Sequence, residues 1–206
     1  MYETILRGLR VTLPFYCFTT DVLMTPGVAP SQLLPNGWAA MQAFKVIFRA
    51  LTLIPSALLF LSHYTTRAGQ SAGWVSLAPL PKGSLFNAYA ASYKGFKNQF
   101  VMIQAIGEAS FTLDSKPLPL YWRLPSKFKG FFKGQLTLED KANLQLLEEL
   151  PRGMSCKELV AITFEYQPTQ NLKSNTMDAT TVVVKKEVAT KEAAAEEGQA
   201  RTSSIP

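Results

Sequence analysis

Apolar and polar positions change rhythm twice along this chain of 206 residues. In the first third, apolar residues recur every three or four positions, the spacing of a helix that buries one face. Trp38, Met41, Phe44, Phe48 and Leu51 fall on one stripe and Gln42, Lys45 and Arg49 on a polar face, which predicts an amphipathic helix capped by Asn36 after Pro35. Pro55 breaks the pattern. Because proline is tolerated in a first turn, a second helix is predicted from Ser56 to Thr65, apolar nearly all round and hence buried.

After Arg67 the rhythm changes to short runs rich in β-branched and aromatic residues, separated by Gly, Pro, Ser and Asp: GWVSLAPLP, QFVMIQA, ASFTLDSKPL and LYW. These predict the strands of a small mixed sheet, with Phe111 to Leu113 running into a turn at Asp114-Ser115. Helix returns near Thr137, which can cap it with Asp140 in the third position, and Leu144, Leu147 and Leu150 then line one side before Pro151. Ser155 and Glu158 offer a second capping box for a short last helix. Beyond Tyr166 no aromatic residue occurs, and Thr, Ala, Lys, Glu, Ser and Gln dominate. Neither the AAAEE nor the TTVVV stretch there has enough apolar surface to offset the entropy of ordering. The expected organisation is one α+β domain over residues 1–166 and a disordered tail over 167–206.

Composition supports a folded domain, with 47% hydrophobic residues and 23 aromatics. The most apolar run, Ala50 to Ser62, is too short to cross a bilayer and extends backwards only into Arg49, Lys45 and Gln42, so no membrane partner is expected. Cys17 and Cys156 lie far apart, no Asn-x-Ser/Thr acceptor occurs, and the first residues lack a signal peptide's apolar stretch. The expectation is an intracellular protein, of cytoplasm or nucleus, with free thiols. Charge is unevenly placed: between Lys82 and Lys133 eight cations face two anions, so one quarter of the chain holds the whole net charge of +6. Such an excess attracts polyanions.

Catalytic chemistry is thinly supplied. The single histidine, His63, would have to serve as base for either cysteine, and one histidine with no Cys-x₂-Cys or His-x₃-His spacing cannot anchor zinc. Before Thr137 the acids are Glu3, Asp21, Glu108 and Asp114, so a metal-dependent nuclease or transposase would have to gather Asp21, Glu108 and Asp114 at one point. Lys94-Gly95 and Lys129-Gly130 lack the glycine spacing that wraps a phosphate. No enzyme activity, cofactor, metal or small-molecule substrate is therefore expected. What rises above background is basic residues interleaved with rings, FNAYAASYKGFKNQF and then YWRLPSKFKGFFK, which together hold eleven of the chain's aromatics with Phe111. Cations neutralise phosphates and flat rings stack on unpaired bases, so Tyr93, Lys94, Phe96, Lys97, Arg123, Lys127, Lys129 and Lys133 are candidate contacts for RNA or another single strand. The competing reading makes the rings core and the lysines solvated surface, as strands alternate anyway.

Whole phrases also carry a resemblance. Tyr2-Glu3 with Leu9-Arg10 and Leu13-Pro14, then APSQLLPNGWAAMQAF (Ala29 to Phe44), GWVSLAPLPKGSLF (Gly73 to Phe86), SYKGFKNQFVMI (Ser92 to Ile103) and LPLYWRLP (Leu118 to Pro125), follow one another in order. Together they resemble the N-terminal gag-like domain encoded by plant gypsy-type retrotransposons, over roughly residues 2–135 and weakly to about residue 160. The resemblance implies a non-enzymatic module that associates with itself or with RNA, and it transfers no catalytic residue. Two positions depart from the family: Gln99 stands where an arginine is usual, and Val101 where a second aromatic is. The zinc knuckle, protease, polymerase and integrase of a full element are not in this chain, which reads as a fragment of one or a host-recruited gene derived from one. In the latter case a protein-interaction scaffold is the alternative role.

Overall fold

Proline at a first helical position forfeits no hydrogen bond, and the longest helix begins on one. In the computed structural model, which describes residues 1–69, 73–81, 84–87, 96, 99–106, 110–114, 116–123, 127–165 and 182–186, that helix spans Pro35–Ala50. Leu34 is its extended N-cap, so the helix starts ahead of the expected Asn36, whose Oδ1 instead accepts from the Gly37 amide at 2.8 Å. We number the helices α1 (Cys17–Met24), α2 (Pro35–Ala50), α3 (Ala57–Leu61), α4 (Leu138–Glu149) and α5 (Cys156–Glu165), with a π-helical turn at Thr4–Gly8 and a 3-10 turn at Lys133–Gln135.

The stripe on α2 organises the core. Trp38, Met41, Phe44 and Phe48 are buried as their spacing requires, and Phe44 stacks between Phe18 at 5.6 Å and Phe48 at 4.3 Å while meeting Phe60 edge-on at 5.2 Å. One continuous cluster runs from Tyr2, Ile5 and Leu9 through these rings to Leu144, Leu147 and Val160. Gln42 departs from its expected polar face: it is 8% exposed, and its Nε2 donates to the carbonyls of Leu9 at 2.8 Å and Arg10 at 3.0 Å. A loop with two carbonyls to satisfy needs a donor there, and a buried amide supplies it.

Ser56 caps α3 by accepting from the Leu59 amide at 3.3 Å, but the helix ends at Leu61, short of the predicted Thr65. The β-branched Thr65 and Thr66 enter a strand instead. The strands are β1 (Tyr64–Ala68), β2 (Val75–Pro79), β3 (Phe86–Asn87), β4 (Val101–Ala105), β5 (Met154–Ser155) and β6 (Val182–Lys186). Rather than one mixed sheet they make three two-stranded ones: β1 with β2 antiparallel, β3 with β5 parallel, and β4 with β6 antiparallel. β2 packs on α2, β1 on α3 and β5 on α5, and the single bridges Tyr2↔Phe100 and Leu33↔Val75 tie the chain's start and the approach to α2 to the strands.

Two predicted strands are not strands. Among the described residues of ASFTLDSKPL only Thr112 bridges, to Phe15, because Thr112 Oγ1 donates to the Lys116 carbonyl at 3.1 Å and the Lys116 amide to Asp114 Oδ1 at 3.4 Å. Local side-chain bonds replace a ladder. At LYW, Pro117 and Pro119 have removed two amide donors just upstream, and the segment stays irregular. The C-terminal helices follow expectation: Thr137 Oγ1 accepts from the Asp140 amide at 3.0 Å, and Ser155 Oγ from the Glu158 amide at 3.3 Å. Within the stretch expected to be a tail, Val182–Lys186 finds a partner in β4, with Val101 opposite Lys186 and Ala105 opposite Val182. Residues 167–181 and 187–206 lie outside the described residues.

Candidate nucleic-acid interface

Residues 127–133 lie along β1 as a strap. The Phe128 carbonyl accepts from the Thr66 amide at 3.0 Å and Thr65 Oγ1 at 2.6 Å, while the Phe128 amide donates to Thr66 Oγ1 at 3.1 Å. Gly130 has φ +88°, and a Cβ there would lie 2.8 Å from the Tyr64 carbonyl oxygen and 3.2 Å from that of Leu61. Only glycine lets the strap lie so close. Phe128 and Phe131, with ring centroids 5.2 Å apart, pack against the core, and Lys127, Lys129, Phe132 and Lys133 are left exposed.

Upstream, three of the phrases that carry the resemblance meet in space. Gln32, fully buried, donates through Nε2 to the Gly73 carbonyl at 2.7 Å and the Arg123 carbonyl at 2.6 Å. Beside it Trp122 Nε1 donates to Ser31 Oγ at 2.8 Å, and the Trp122 ring stands edge-on to Trp74 at 4.8 Å. Trp74 continues the contact to Tyr2 and Phe96. The APSQL, GWVSL and LYWR segments thus form one junction, which holds Tyr121, Trp122 and Arg123 at the surface.

Of the candidate contacts, Arg123, Lys127 and Lys129 are exposed, with no ion-pair partner among the described residues. Lys133 is also exposed but pairs with Glu148 at 2.7 Å, a hydrogen bond that holds the Glu148 carboxyl below its usual range. Phe96 is turned inward, edge-on to Tyr2 at 5.1 Å, and serves the core. Tyr93, Lys94 and Lys97 lie outside the described residues. Near Arg123 and the strap other rings open to solvent: Tyr121 is 77% exposed, Phe132 75% and Trp122 44%. Composition marked their neighbourhood without telling them from Phe128 and Phe131, since no periodicity runs through so irregular a strap.

The groups weighed for catalysis are arranged differently. Asp21 and Asp114 do approach one another, but Lys116 Nζ stands between them at 2.7 Å and 3.2 Å, and hydrogen bonds to Asp21 and then Asp114 raise its pKa. Glu108 lies outside the described residues. Cys156 is buried, and burial pushes its thiol up to about 12, the opposite of an activated nucleophile. Cys17 is exposed at the start of α1, and His63 is buried just after α3, its carbonyl accepting from the Leu80 amide at 2.8 Å. No described helix is long and apolar enough to cross a membrane.

Residues 1–68 match the family model described as "Putative gypsy type transposon". The match covers the π-helical turn, α1 to α3 and β1, and with them the first two of the phrases quoted above. No curated protein and no solved structure matches the chain.

Proposed function

We propose that this chain, similar over residues 1–68 to the gypsy-type transposon family, is a non-enzymatic gag-like module that binds single-stranded RNA. The observation that supports this reading is the exposed surface at Tyr121–Arg123 and on the strap of residues 127–133, where open rings accompany Arg123, Lys127 and Lys129, cations with no ion-pair partner among the described residues, and where Phe128 and Phe131 anchor the strap. Backbone-tracking cations supply affinity for any strand, and open rings favour unpaired bases, which a duplex hides. Anchoring matters because a side chain held on a packed backbone loses less entropy on binding.

Filter binding against a single-stranded RNA and its duplex form is the test. The single strand is expected to bind more tightly, and Tyr121→Ala with Phe132→Ala to weaken it by about 1–3 kcal/mol per lost stack. Equal affinity for the duplex, or no loss in the double variant, would overturn the reading.

A further inference from the structure

The hydrogen bonds of the strap fix which residue of β1 stands beside each of its lysines. The Thr66 amide donates to the Phe128 carbonyl at 3.0 Å and Gly130 lies against the Tyr64 carbonyl, so the strap runs antiparallel to β1 with Phe128 beside Thr66 and Gly130 beside Tyr64. The same register sets Lys127 beside Arg67. On its other edge β1 pairs with β2, where Arg67 stands opposite Ser76. Strap, β1 and β2 therefore lie side by side in one layer.

Side chains alternate across such a layer. Phe128 packs on the core cluster that holds Tyr64, Val75 and Leu77, which leaves Arg67, Ser76 and Lys127 on the opposite, outer face. Arg67 and Lys127 are exposed there. Paired positions on neighbouring strands bring their Cβ atoms to roughly 5 Å, where like charges destabilise the pair. Nothing on their own segments relieves them: no Asp or Glu occurs between Asp21 and Glu108, a run that includes β1 and β2, nor between Asp114 and Glu139, a run that includes the strap. Among the described residues no carboxylate from elsewhere comes within ion-pair distance of either cation. The fold sets two like charges side by side, and the anion that would compensate them has to come from outside.

We propose that Arg67 and Lys127 clamp a single phosphate of the bound RNA between them, which brings β1 into the interface. The clamp rests on the reading of this chain as a binder of single-stranded RNA and extends it to a residue outside the basic stretch, since Arg67 precedes Lys82 and only the strap's register brings it alongside. The planar guanidinium offers a fork of N–H donors that matches two phosphate oxygens, and the lysine ammonium adds a point charge from the neighbouring segment. Because one anion compensates both cations, either substitution releases it.

Single-stranded RNA binding by the full chain, titrated across salt concentrations, tests the clamp. Arg67→Gln is expected to weaken binding about tenfold at low salt and to flatten the log-log slope by about 0.7, the share of one phosphate. In a Lys127→Ala background the same substitution is expected to flatten it no further, the phosphate being already lost. An unchanged slope in Arg67→Gln, or a second flattening of about 0.7 in the Lys127→Ala background, would overturn the clamp and leave the RNA reading standing. A native chain that binds no RNA would overturn both. Urea melts without RNA test the juxtaposition by itself: Arg67→Gln is expected to raise the midpoint over the native chain at low salt, with the difference shrinking as salt screens the pair. A difference that salt leaves unchanged would overturn the clamp as well.

Discussion

Gly130 and Cys156 are residues whose surroundings dictate a measurable outcome. Gly130 combines a positive φ with a backbone oxygen 2.8 Å from where a Cβ would sit, so Gly130→Ala is expected to cost about 2 kcal/mol or more, seen as a lower urea midpoint. A variant as stable as the native chain would mean that the strap does not lie against β1 as described. For Cys156 the folded thiol titrates near 12 and the ordinary one at 9.0, so the fold keeps a proton that the unfolded chain releases. Its contribution to stability is complete below about pH 9 and declines as pH rises from there toward 12. The stability gap between the native chain and Cys156→Ala should therefore narrow between about pH 8 and pH 10.5, and an unchanged gap would contradict the burial. At this scale Gln42 shows what periodicity hides. Its place in the 3.6-residue repeat is polar, yet two carbonyls more than thirty residues away in sequence draw its amide inside.

Among the elements, the helix caps at Ser56, Thr137 and Ser155 stand where local spacing puts them, whereas the pairing of the strands depends on distant partners. Thr137 and Ser155 cap the last two helices where the capping residues stand, because cap and amide are three residues apart. Thr137→Ala is expected to cost about 1 kcal/mol in thermal or urea melts, and a variant without loss would show the cap to be idle. Strand runs were recognisable at GWVSLAPLP and QFVMIQA, but their assembly into three separate pairs depends on partners such as Met154 for Phe86, to which no short-range pattern points. Around Asp114 the same β-like composition was defeated by local hydrogen bonds to Lys116. The Gln32 junction is the least visible from sequence and the most consequential for the interface. Gln32→Leu strands the Gly73 and Arg123 carbonyls and is expected to cost about 1–3 kcal/mol for each left buried, and to loosen Trp122 from Trp74. A change in tryptophan fluorescence accompanying the lower stability would report it, and an unaltered spectrum at native stability would contradict the role of the staple.

Over the whole molecule, the helical first third provides the platform and the irregular basic segment the surface. The local charge excess was readable from composition, since eight cations against two anions need no fold to be counted. Which of those cations remain available was not, because Asp21 and Glu148, remote in sequence, draw Lys116 and Lys133 into ion pairs, with Asp114 joining beside Lys116. The most direct measurement of the central claim is the salt dependence of single-stranded RNA binding, for the native chain and for Lys127→Ala with Lys129→Ala. Three or four phosphate contacts, from Arg123, Lys127, Lys129 and, once released from Glu148, Lys133, should give a log-log slope of roughly −2 to −3, and the double variant should flatten it by about 1.4. A native slope near zero, or one that the variant leaves unchanged, would contradict the account.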